Sequence, residues 1–406
     1  MTYASFQYSV VVQECGMKQT GKEGIRRRSL VGVIAAMAVV NLVYGITFPL
    51  LALVLDSQHV SKSLIGLSTI VQAGAILAIA PFAPGLMTRF APARLMQAMS
   101  VLLALLFIIA GLYQNVWFWF PLRLIIGAAT ALLWIASEAL INELAVERWR
   151  GRIIAIYASV GAAGFALGPL LLIITGSEGM APFVATSLMI LLAGLPLFFV
   201  KHHRLEYSDG KNQGIWKVFL LAPVIMLANV AYAASAESIL TFFPLYGMHF
   251  GMTKEFTLGL LTIMGAGGMV LALPLGWVAD YVNRMGMLVF ILLFTMGCLL
   301  AMPQVMQLQP WLVFPFFFVF GGVEGMIYAL GVVLIGERFR GAQLGAATTA
   351  FSACWGAGTM LGPLLVGIGM DRFGNGSMIL IIFAIFAVYL PLPVAAWWRS
   401  LRPRAV

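Results

Sequence analysis

Three glutamates and one arginine lie inside segments of the sequence that are otherwise apolar. Arg123 and Glu138 fall in one such segment, Glu237 in a second and Glu324 in a third. A charged side chain at the centre of a bilayer costs about 2.5–3.5 kcal/mol on insertion scales, so such a residue is a functional candidate. Desolvated carboxyl groups can exchange protons near neutral pH, and an arginine can hold a carboxylate or an anionic solute. These four residues are therefore the main candidates for chemistry.

The segment that holds Arg123 and Glu138 is long enough to cross a membrane as one helix. The two residues are fifteen positions apart, which is about 22 Å along a helix, so they cannot pair directly. Trp134, Glu138 and Asn142 recur every four residues and share one helix face. That polar stripe has to face protein or water rather than lipid. Two structural alternatives stay open: Arg123 can extend toward the outer interface, and Glu138 can form a helix-to-helix hydrogen bond.

The composition places the chain in a bilayer. Of its 406 residues, 62% are hydrophobic and 10% are charged, and the mean hydropathy is +0.98, whereas soluble domains have about 25% charged residues. The formal net charge of +9 does not indicate nucleic-acid binding, because the basic residues lie in short connections between apolar runs. No nucleophile and base stand at a motif spacing, no ATP-binding motif is present, and the three cysteines suggest neither disulfides nor a metal site. We therefore predict no enzyme activity, cofactor or metal.

The hydropathy pattern predicts an all-α membrane protein with twelve spans of about 20 apolar residues each. The spans are predicted at 30–54, 63–87, 95–114, 116–142, 153–175, 181–200, 217–247, 256–279, 286–304, 310–336, 342–369 and 376–398. We predict a cytoplasmic tail at 1–28, a six-helix bundle at 29–200, a cytoplasmic linker at 201–216, a second six-helix bundle at 217–398 and a cytoplasmic tail at 399–406.

The lysines and arginines predict the orientation. If the N-terminus is cytoplasmic, Lys62, Lys254 and Arg372 fall outside, Arg123 falls within the fourth span, and every other one of the 24 basic residues is cytoplasmic. Cytoplasmic loops of membrane proteins carry such an excess of basic residues. Both termini are therefore predicted to be cytoplasmic, in a bacterial inner membrane.

The two halves of the sequence repeat each other. Motifs recur in the same order: Pro49-Leu50 as Pro244-Leu245, Glu147-Arg148-Trp149-Arg150-Gly151 as Glu337-Arg338-Phe339-Arg340-Gly341, and Gly164-x-x-x-Gly168-Pro169 as Gly358-x-x-x-Gly362-Pro363. Each match is weak alone, but together they indicate an internal duplication, which is common in transporters. The sequence thus predicts two pseudo-symmetric bundles.

Several of these motifs resemble those of the major facilitator superfamily (MFS). The turns at 85–94 and 276–284 are similar to its G-x-x-x-D-R-x-G-R/K signature, with Thr88 in the first turn where the second keeps Asp280. Arg123-x-x-x-Gly127 resembles its fourth-span motif and Gly164-x-x-x-Gly168-Pro169 its fifth-span motif. Leu172-Ile173 replace the glycine pair that drug:proton antiporters often have there. The resemblance implies alternating access through a central cavity lined by spans one, four, seven and ten.

Two sets of residues follow as site candidates. For the substrate cavity and its coupling they are Asn41, Tyr44, Arg123, Trp134, Glu138, Asn142, Glu237, Glu324 and Tyr328. For a latch at the cytoplasmic side they are Asp280, Arg284, Arg150, Arg152 and Arg89. In the latch, a carboxylate would meet the positive start of span five.

The solute is predicted from the aromatic residues and from one further motif. The aromatic set Trp117, Phe118, Trp119, Phe120, Trp134, Tyr232, Phe242, Phe243 and Tyr328 would suit a planar, largely uncharged molecule. The W-x-x-x-E-A stretch at 134–139 resembles a branch of small bacterial importers that includes riboflavin and copper importers. We predict uptake of a riboflavin-like solute by a monomer, with H⁺ as a possible coupling ion. Proton-coupled multidrug efflux is the main alternative; copper import, through Met248-x-x-x-Met252, and a non-transporting receptor are weaker ones.

Overall fold

The computed structural model of the chain describes residues 4–79, 82–144, 150–200, 219–339 and 342–401. These ranges contain long helices and no strand. In chain order the long helices are α1 Ala4–Ser57, α2 Lys62–Ile79, α3 Pro92–Leu112, α4 Val116–Leu144, α5 Arg150–Thr175, α6 Ala181–Gly194, α7 Pro223–His249, α8 Lys254–Tyr281, α9 Arg284–Val305, α10 Pro310–Arg338, α11 Ala342–Phe373 and α12 Ser377–Tyr389. Short helical segments at Ala83–Arg89, Leu195–Phe199 and Pro391–Leu401 follow α2, α6 and α12.

The helices have the length and the composition of membrane spans. Among the described residues, 11 helices are long and apolar enough to cross a bilayer, and the apolar part of α5, Ser159–Thr175, is shorter. The predicted all-α fold is confirmed. Of the second span, predicted over 63–87, the structure describes α2 up to Ile79 and a short helix from Ala83, and residues 80 and 81 lie outside the described ranges. The first helix begins at Ala4, within the predicted tail. The linker predicted at 201–216 lies outside the described residues, and the domain boundaries stay predictions.

Local sequence signals begin many of these helices. A proline stands in the first turn of α3, α6, α7 and α10, where its missing N–H would have no helical partner. The Thr253 hydroxyl accepts a hydrogen bond from the Phe256 N–H (3.2 Å) at the start of α8, and the Asn283 side chain accepts one from the Gly286 N–H (2.9 Å) at the start of α9. Such caps fix where one helix ends and the next turns back.

The same packing pattern occurs in both halves. In the first half α1 packs on α5, α2 on α4 and α3 on α6; in the second half α7 packs on α11, α8 on α10 and α9 on α12. Prolines occur at matching places, since Pro121 and Pro315 both lie in the second turn of their helices, α4 and α10. The structure therefore contains two pseudo-symmetric bundles.

The duplicated glycine motif produces close helix crossings. A Cβ on Gly168 of α5 would collide with the backbone of Gly45 in α1. In the second half, a Cβ on Gly362 of α11 would collide with the backbone of Ala234 in α7. Small residues at such crossings let two membrane helices approach closely. The glycines of spans five and eleven thus serve packing within each bundle.

Among the described residues, the extensive contacts between the two bundles are those of α1 with α7, α2 with α11 and α5 with α8. No extensive contact of this kind joins α4, which carries Glu138, to α10, which carries Glu324. The inner faces of α4 and α10 therefore look toward the space between the bundles.

Candidate functional site

The first bundle presents a polar and aromatic face to this space. The Trp134 Nε1–H donates a hydrogen bond to Glu138 Oε1 at 2.7 Å, as their four-residue spacing on α4 allows. The Tyr44 ring of α1 packs edge-on against Trp134 with centroids 6.2 Å apart. Glu138 is exposed although it lies within a membrane-spanning helix. This carboxyl group lies on the face of α4 that is turned toward the second bundle, since it interacts electrostatically with Tyr328 of α10.

The second bundle faces the first with a cluster of touching aromatic rings, which we call the aromatic wall: Tyr232, Tyr328, Phe351 and Trp355. The Trp355 ring centroid of α11 lies 5.6 Å from that of Tyr232 and 5.4 Å from that of Tyr328. Phe351 lies 5.4 Å from Tyr328. Rings this close leave no room between them, so a solute can meet only the outer surface of the wall. Tyr328 is 39% exposed, and it lies close enough to Glu138 for the two to interact electrostatically.

Two acids of the second bundle are buried behind this surface. Glu324 of α10 accepts a hydrogen bond from the Ser235 hydroxyl of α7, so one helix pair within the bundle encloses it. Glu237 of α7 is 2% exposed, and its Oε2 has no hydrogen-bond partner among the described residues. Glu237 interacts electrostatically with Tyr44 of the first bundle and with Tyr232. A carboxyl group is thus enclosed where α1 meets α7.

Arg123 is buried inside the first bundle. It is 1% exposed, its guanidinium donates to the Ser68 hydroxyl of α2, and it lies 5.9 Å from the centroid of the Phe48 ring. Its Nε and both amide atoms of Gln72 have no hydrogen-bond partner among the described residues. Arg123 therefore does not extend to the outer interface, and its described contacts include no carboxylate. Ser68 and Gln72 carry no charge, so the search for charged residues within spans did not single them out.

The expected latch residues are only partly described. Arg284 forms an ion pair with Asp280 at 3.0 Å and a second one with Glu337, and all three residues belong to the second bundle. Arg89 lies 5.8 Å from the centroid of the neighbouring Phe90 ring. The side chains of Arg150 and Arg152 lie outside the described set. A latch between the bundles therefore stays a prediction.

Comparison with known proteins agrees with this architecture. A sequence model of the Major Facilitator Superfamily matches residues 33–319 and 254–406. The chain belongs to the major facilitator superfamily. It is 25% identical over 366 residues to an uncharacterized MFS-type transporter, YfkF, of Bacillus subtilis, covering 88% of this chain and 90% of that protein. An uncharacterized MFS-type transporter of Enterobacter is 24% identical, covering 69% of this chain and 72% of that protein.

Solved MFS structures share the fold of this chain. The nucleoside transporter NupG matches with a TM-score of 0.74 and 10% identity, covering 92% of this chain and 99% of that one. A bacterial homologue of the human lysosomal transporter Spinster, in an inward-facing and unoccupied conformation, matches with a TM-score of 0.70 and 14% identity, covering 92% and 94%. At these identities the likeness concerns the fold. As an MFS member, the chain is a multi-pass membrane protein and a secondary transporter.

Within this MFS chain, several residues of the aromatic set lie away from the aromatic wall. Trp117 and Phe118 are exposed near the start of α4, and Trp119 is buried against Phe183 of α6. This run lies near the start of α4, whereas Trp134 lies in the second half of the same helix. Aromatic content alone does not distinguish these two places. Phe242 and Phe243 are fully buried in the core.

The predicted cavity residue Asn41 lies at a crossing of two helices in the first bundle. The Asn41 side chain donates to the Met37 carbonyl at 3.0 Å, where α1 packs against Gly161 of α5. Asn41 therefore contributes to this crossing. The side chain of Asn142 lies outside the described set.

Two members of the aromatic wall, Phe351 and Trp355, are not among the residues predicted from the sequence. Trp355 lies three residues before Gly358, at the start of the second copy of the glycine motif. That motif places α11 against α7, so a tryptophan beside it was a usable signal. The described residues contain no cluster of three His, Cys, Asp or Glu side chains that could hold a metal ion. Met248 lies at the far end of α7, away from the aromatic wall.

Proposed function

We propose that this MFS transporter moves a small planar aromatic solute across the bacterial inner membrane by alternating access. The observation that carries the proposal is the aromatic wall, whose exposed Tyr328 lies across the cavity from the Trp134–Glu138 pair. Offset stacking on aromatic rings is worth about 0.5–1.5 kcal/mol beyond burial of area. A single exposed carboxylate beside these rings can fix the orientation of a planar solute by hydrogen bonds.

The charge pattern and the helix contacts support a conformation that is open to the cytoplasm. The positive-inside pattern puts both termini in the cytoplasm. Residues 56–63, 178, 254 and 371 would then lie outside, and the two bundles are joined there, between Asp371 and the start of α2 and between Glu178 and Lys254. Access to the exposed Glu138 would come from the cytoplasmic side. We propose that this is the inward-open state of a monomer.

Riboflavin, a planar heterocycle, is the specific solute that we propose to test first. The chain should rescue growth of a bacterial riboflavin auxotroph that lacks its own importer, at riboflavin concentrations too low for passive entry. Glu138→Gln removes the charge that Trp134 Nε1–H meets, and hydrogen bonds to charged groups are worth about 1.5–3 kcal/mol. The initial rate of riboflavin uptake should therefore fall about tenfold or more in Glu138→Gln cells.

The matched control is Glu255→Gln, the same change at an exposed acid in the first turn of α8, outside the cavity. It should transport like the parent at equal membrane abundance. Failure of a well-expressed parent to rescue growth would reject riboflavin and leave the family assignment intact. Equal uptake by Glu138→Gln and Glu255→Gln would remove Glu138 from the site.

The aromatic wall makes a second prediction for the same cavity. Trp355→Leu keeps an apolar side chain of moderate size but removes the ring that touches both Tyr232 and Tyr328. Loss of one stacking surface of about 1–1.5 kcal/mol should raise the KM for the transported solute about tenfold. Trp117→Leu, at an exposed ring outside the cavity, is the control and should leave KM unchanged. If both variants raise KM equally, the wall is not the binding surface.

Proton-coupled efflux of amphipathic drugs is the second candidate. It is favoured by the three acids within spans, Glu138, Glu237 and Glu324, against one described base there, Arg123. Such a cavity attracts cations, and its acids offer proton sites. Raised resistance of drug-sensitive cells to planar cations such as ethidium, without riboflavin rescue, would favour efflux. Copper import has less support, since Met248 lies away from the aromatic wall.

A further inference from the structure

One carboxylate of the second bundle caps a helix of the first bundle. Asp371, near the end of α11, accepts hydrogen bonds from the backbone N–H of Lys62 (2.9 Å) and of Ser63 (2.7 Å) at the start of α2. The Ser63 hydroxyl donates to the same carboxylate at 2.5 Å. The first N–H groups of a helix have no partner within the helix, and they bind anions well. Here the partner that satisfies two of them comes from the other bundle, 308 residues further along the chain.

A second connection lies in the pseudo-symmetric position. Lys254 at the start of α8 forms an ion pair with Glu178, just after α5, at 2.7 Å. Lys254 lowers the pKa of the Glu178 carboxyl below its usual value by hydrogen bonding to it. The helices correspond under the internal repeat, since α2 and α8 are second in their bundles while α5 and α11 are fifth.

The sequences at the two helix starts correspond as well. Ser61-Lys62 stands before α2 where Thr253-Lys254 stands before α8. The Ser61 hydroxyl accepts from the Leu64 N–H at 3.3 Å, as the Thr253 hydroxyl accepts from the Phe256 N–H. Each bundle thus supplies one helix start and one carboxylate to this end of the molecule.

The two connections differ in strength for a reason visible in the sequence. At the position of Ser63, which adds a hydroxyl bond to Asp371, α8 has the acidic residue Glu255. A second carboxylate there would repel an incoming one, so Glu178 meets only the lysine side chain. Glu178 is 79% exposed, and exposed ion pairs contribute little and are weakened by salt. By contrast, the backbone N–H groups that donate to Asp371 are held in fixed positions by helix α2, which makes this connection the stronger one.

Close packing accompanies the stronger connection. A Cβ on Gly66 of α2 would collide with the Pro363 carbonyl of α11, and one on Gly367 of α11 with the Lys62 carbonyl. At the α5–α8 crossing, a Cβ on Gly259 would lie at an ordinary 3.9 Å from Ile173, and one on Gly265, further from this end, would lie 3.1 Å from the Ala166 Cβ. A cavity of about 580 Å³ lies between the connections, lined in part by Asp56, Lys62, Lys254 and Asp371.

We propose that Asp371 and Glu178 form an unequal pair of clamps that close this end of the transporter, with Asp371 as the main one. The inference goes beyond the proposed solute and does not depend on it. Opening this end requires α11 to leave the start of α2, so the two backbone N–H groups must exchange a carboxylate for water. Hydrogen bonds to charged groups are strong enough to shift such an equilibrium by about tenfold.

The test measures the separation of the bundles directly. Full-length protein with Cys15, Cys298 and Cys354 replaced would carry spin labels at Tyr113 and Leu308, exposed positions at this end of the two bundles. In lipid nanodiscs, pulsed electron paramagnetic resonance measures the distance between the two labels. The distance distribution gives the populations in which this end is closed or open. Asp371→Asn should raise the open-to-closed ratio about tenfold, and Glu178→Gln by less than about threefold.

Three further measurements make the outcome decisive. In about 1 M salt, where screening acts within ~3 Å, the Glu178→Gln effect should vanish and the Asp371→Asn effect should persist. Glu255→Gln also removes an acid at this end, but it relieves repulsion of Glu178 and takes away no hydrogen bond to the other bundle, so it should not raise the ratio. If Asp371→Asn does not fold, Ser63→Ala should shift the ratio the same way, by about threefold. A ratio unchanged by both Asp371→Asn and Ser63→Ala, or shifted more by Glu178→Gln, would overturn the proposal.

Discussion

Glu237→Gln should leave a transporter that exchanges solute but no longer concentrates it. A membrane potential of about 100 mV is worth about 2.3 kcal/mol per charge, which corresponds to roughly 50-fold accumulation of an uncharged solute moved with one proton. An amide cannot carry the proton, so Glu237→Gln proteoliposomes should reach equal concentrations inside and outside. Efflux exchange of the same solute, which needs no net proton movement, should continue.

The enclosure of Glu237 is the reason for choosing it among the three acids. Glu138 is exposed and hydrogen-bonded to Trp134, and Glu324 accepts a hydrogen bond from Ser235. Glu237 is 2% exposed, with an unpartnered Oε2. An unpaired buried carboxylate costs several kcal/mol, so the neutral acid fits this conformation. The titratable groups that face it are Tyr44 of α1 and Tyr232 of α7, and neither brings a positive charge.

Movement of the bundles gives this acid access to protons from outside. Tyr44 belongs to the first bundle and Glu237 to the second, so separation of α1 from α7 as the outer end opens would admit water to the carboxyl group. We infer that Glu237 takes up a proton there, that the neutral acid is enclosed as the outer end closes, and that the proton then leaves toward the cytoplasmic side. Proteoliposomes loaded with a pH-sensitive dye should therefore show proton entry when solute is added to the parent, and none with Glu237→Gln.

A matched variant separates coupling from general damage. Glu324→Gln makes the same change at the other buried acid, where Ser235 can still donate to the amide oxygen. It should keep at least part of the accumulation. Full accumulation by Glu237→Gln would show that the proton travels elsewhere, and loss of exchange in that variant would point to a structural role.

The parts predicted from the sequence were those that periodicity determines. Apolar length predicted the spans, and four-residue spacing put Trp134 and Glu138 on one face, where they form a hydrogen bond. The repeated glycine motif predicted two equivalent crossings, and Gly168 and Gly362 occupy them. The first contact lies within one helix. The other two join pairs of helices whose equivalence the internal duplication indicates.

Contacts between distant segments could not be predicted in the same way. Arg123 meets Ser68 of α2, and Asp371 meets Ser63 across 308 residues. A helical pattern shows which residues share a face, but the rotation of each helix about its axis decides what that face meets. Almost all faces here are apolar, so hydropathy carries little information about rotation. For the same reason the aromatic set chosen from the sequence included Trp117, which lies away from the aromatic wall, and did not include Trp355, which belongs to it.

The duplicated crossings lead to the second large effect. Gly168→Val should prevent stable folding, because its side chain would occupy the place of the Gly45 backbone. A flexible side chain can move aside, but the backbone of α1 cannot move without displacing the whole helix. Overpacking of a well-packed site costs about 1–3 kcal/mol and occasionally more, and here both partners are helical backbone. We expect a loss of more than about 3 kcal/mol in the free energy of unfolding.

The control for this change is Gly297→Val in α9, where a Cβ would meet nothing within 4 Å. Valine has a slightly higher helix propensity than glycine, so this variant should unfold at or above the parent temperature. Thermal unfolding in detergent, followed by tryptophan fluorescence, gives the unfolding temperatures of the two variants. The comparison is matched because both variants replace a glycine with valine. Gly362→Val, the pseudo-symmetric change against Ala234, should behave like Gly168→Val, because the duplication uses one crossing twice. If only one of the two variants destabilises the protein, the two halves do not depend equally on this crossing. The helix pair that tolerates valine would then be able to move apart, whereas the other pair would not.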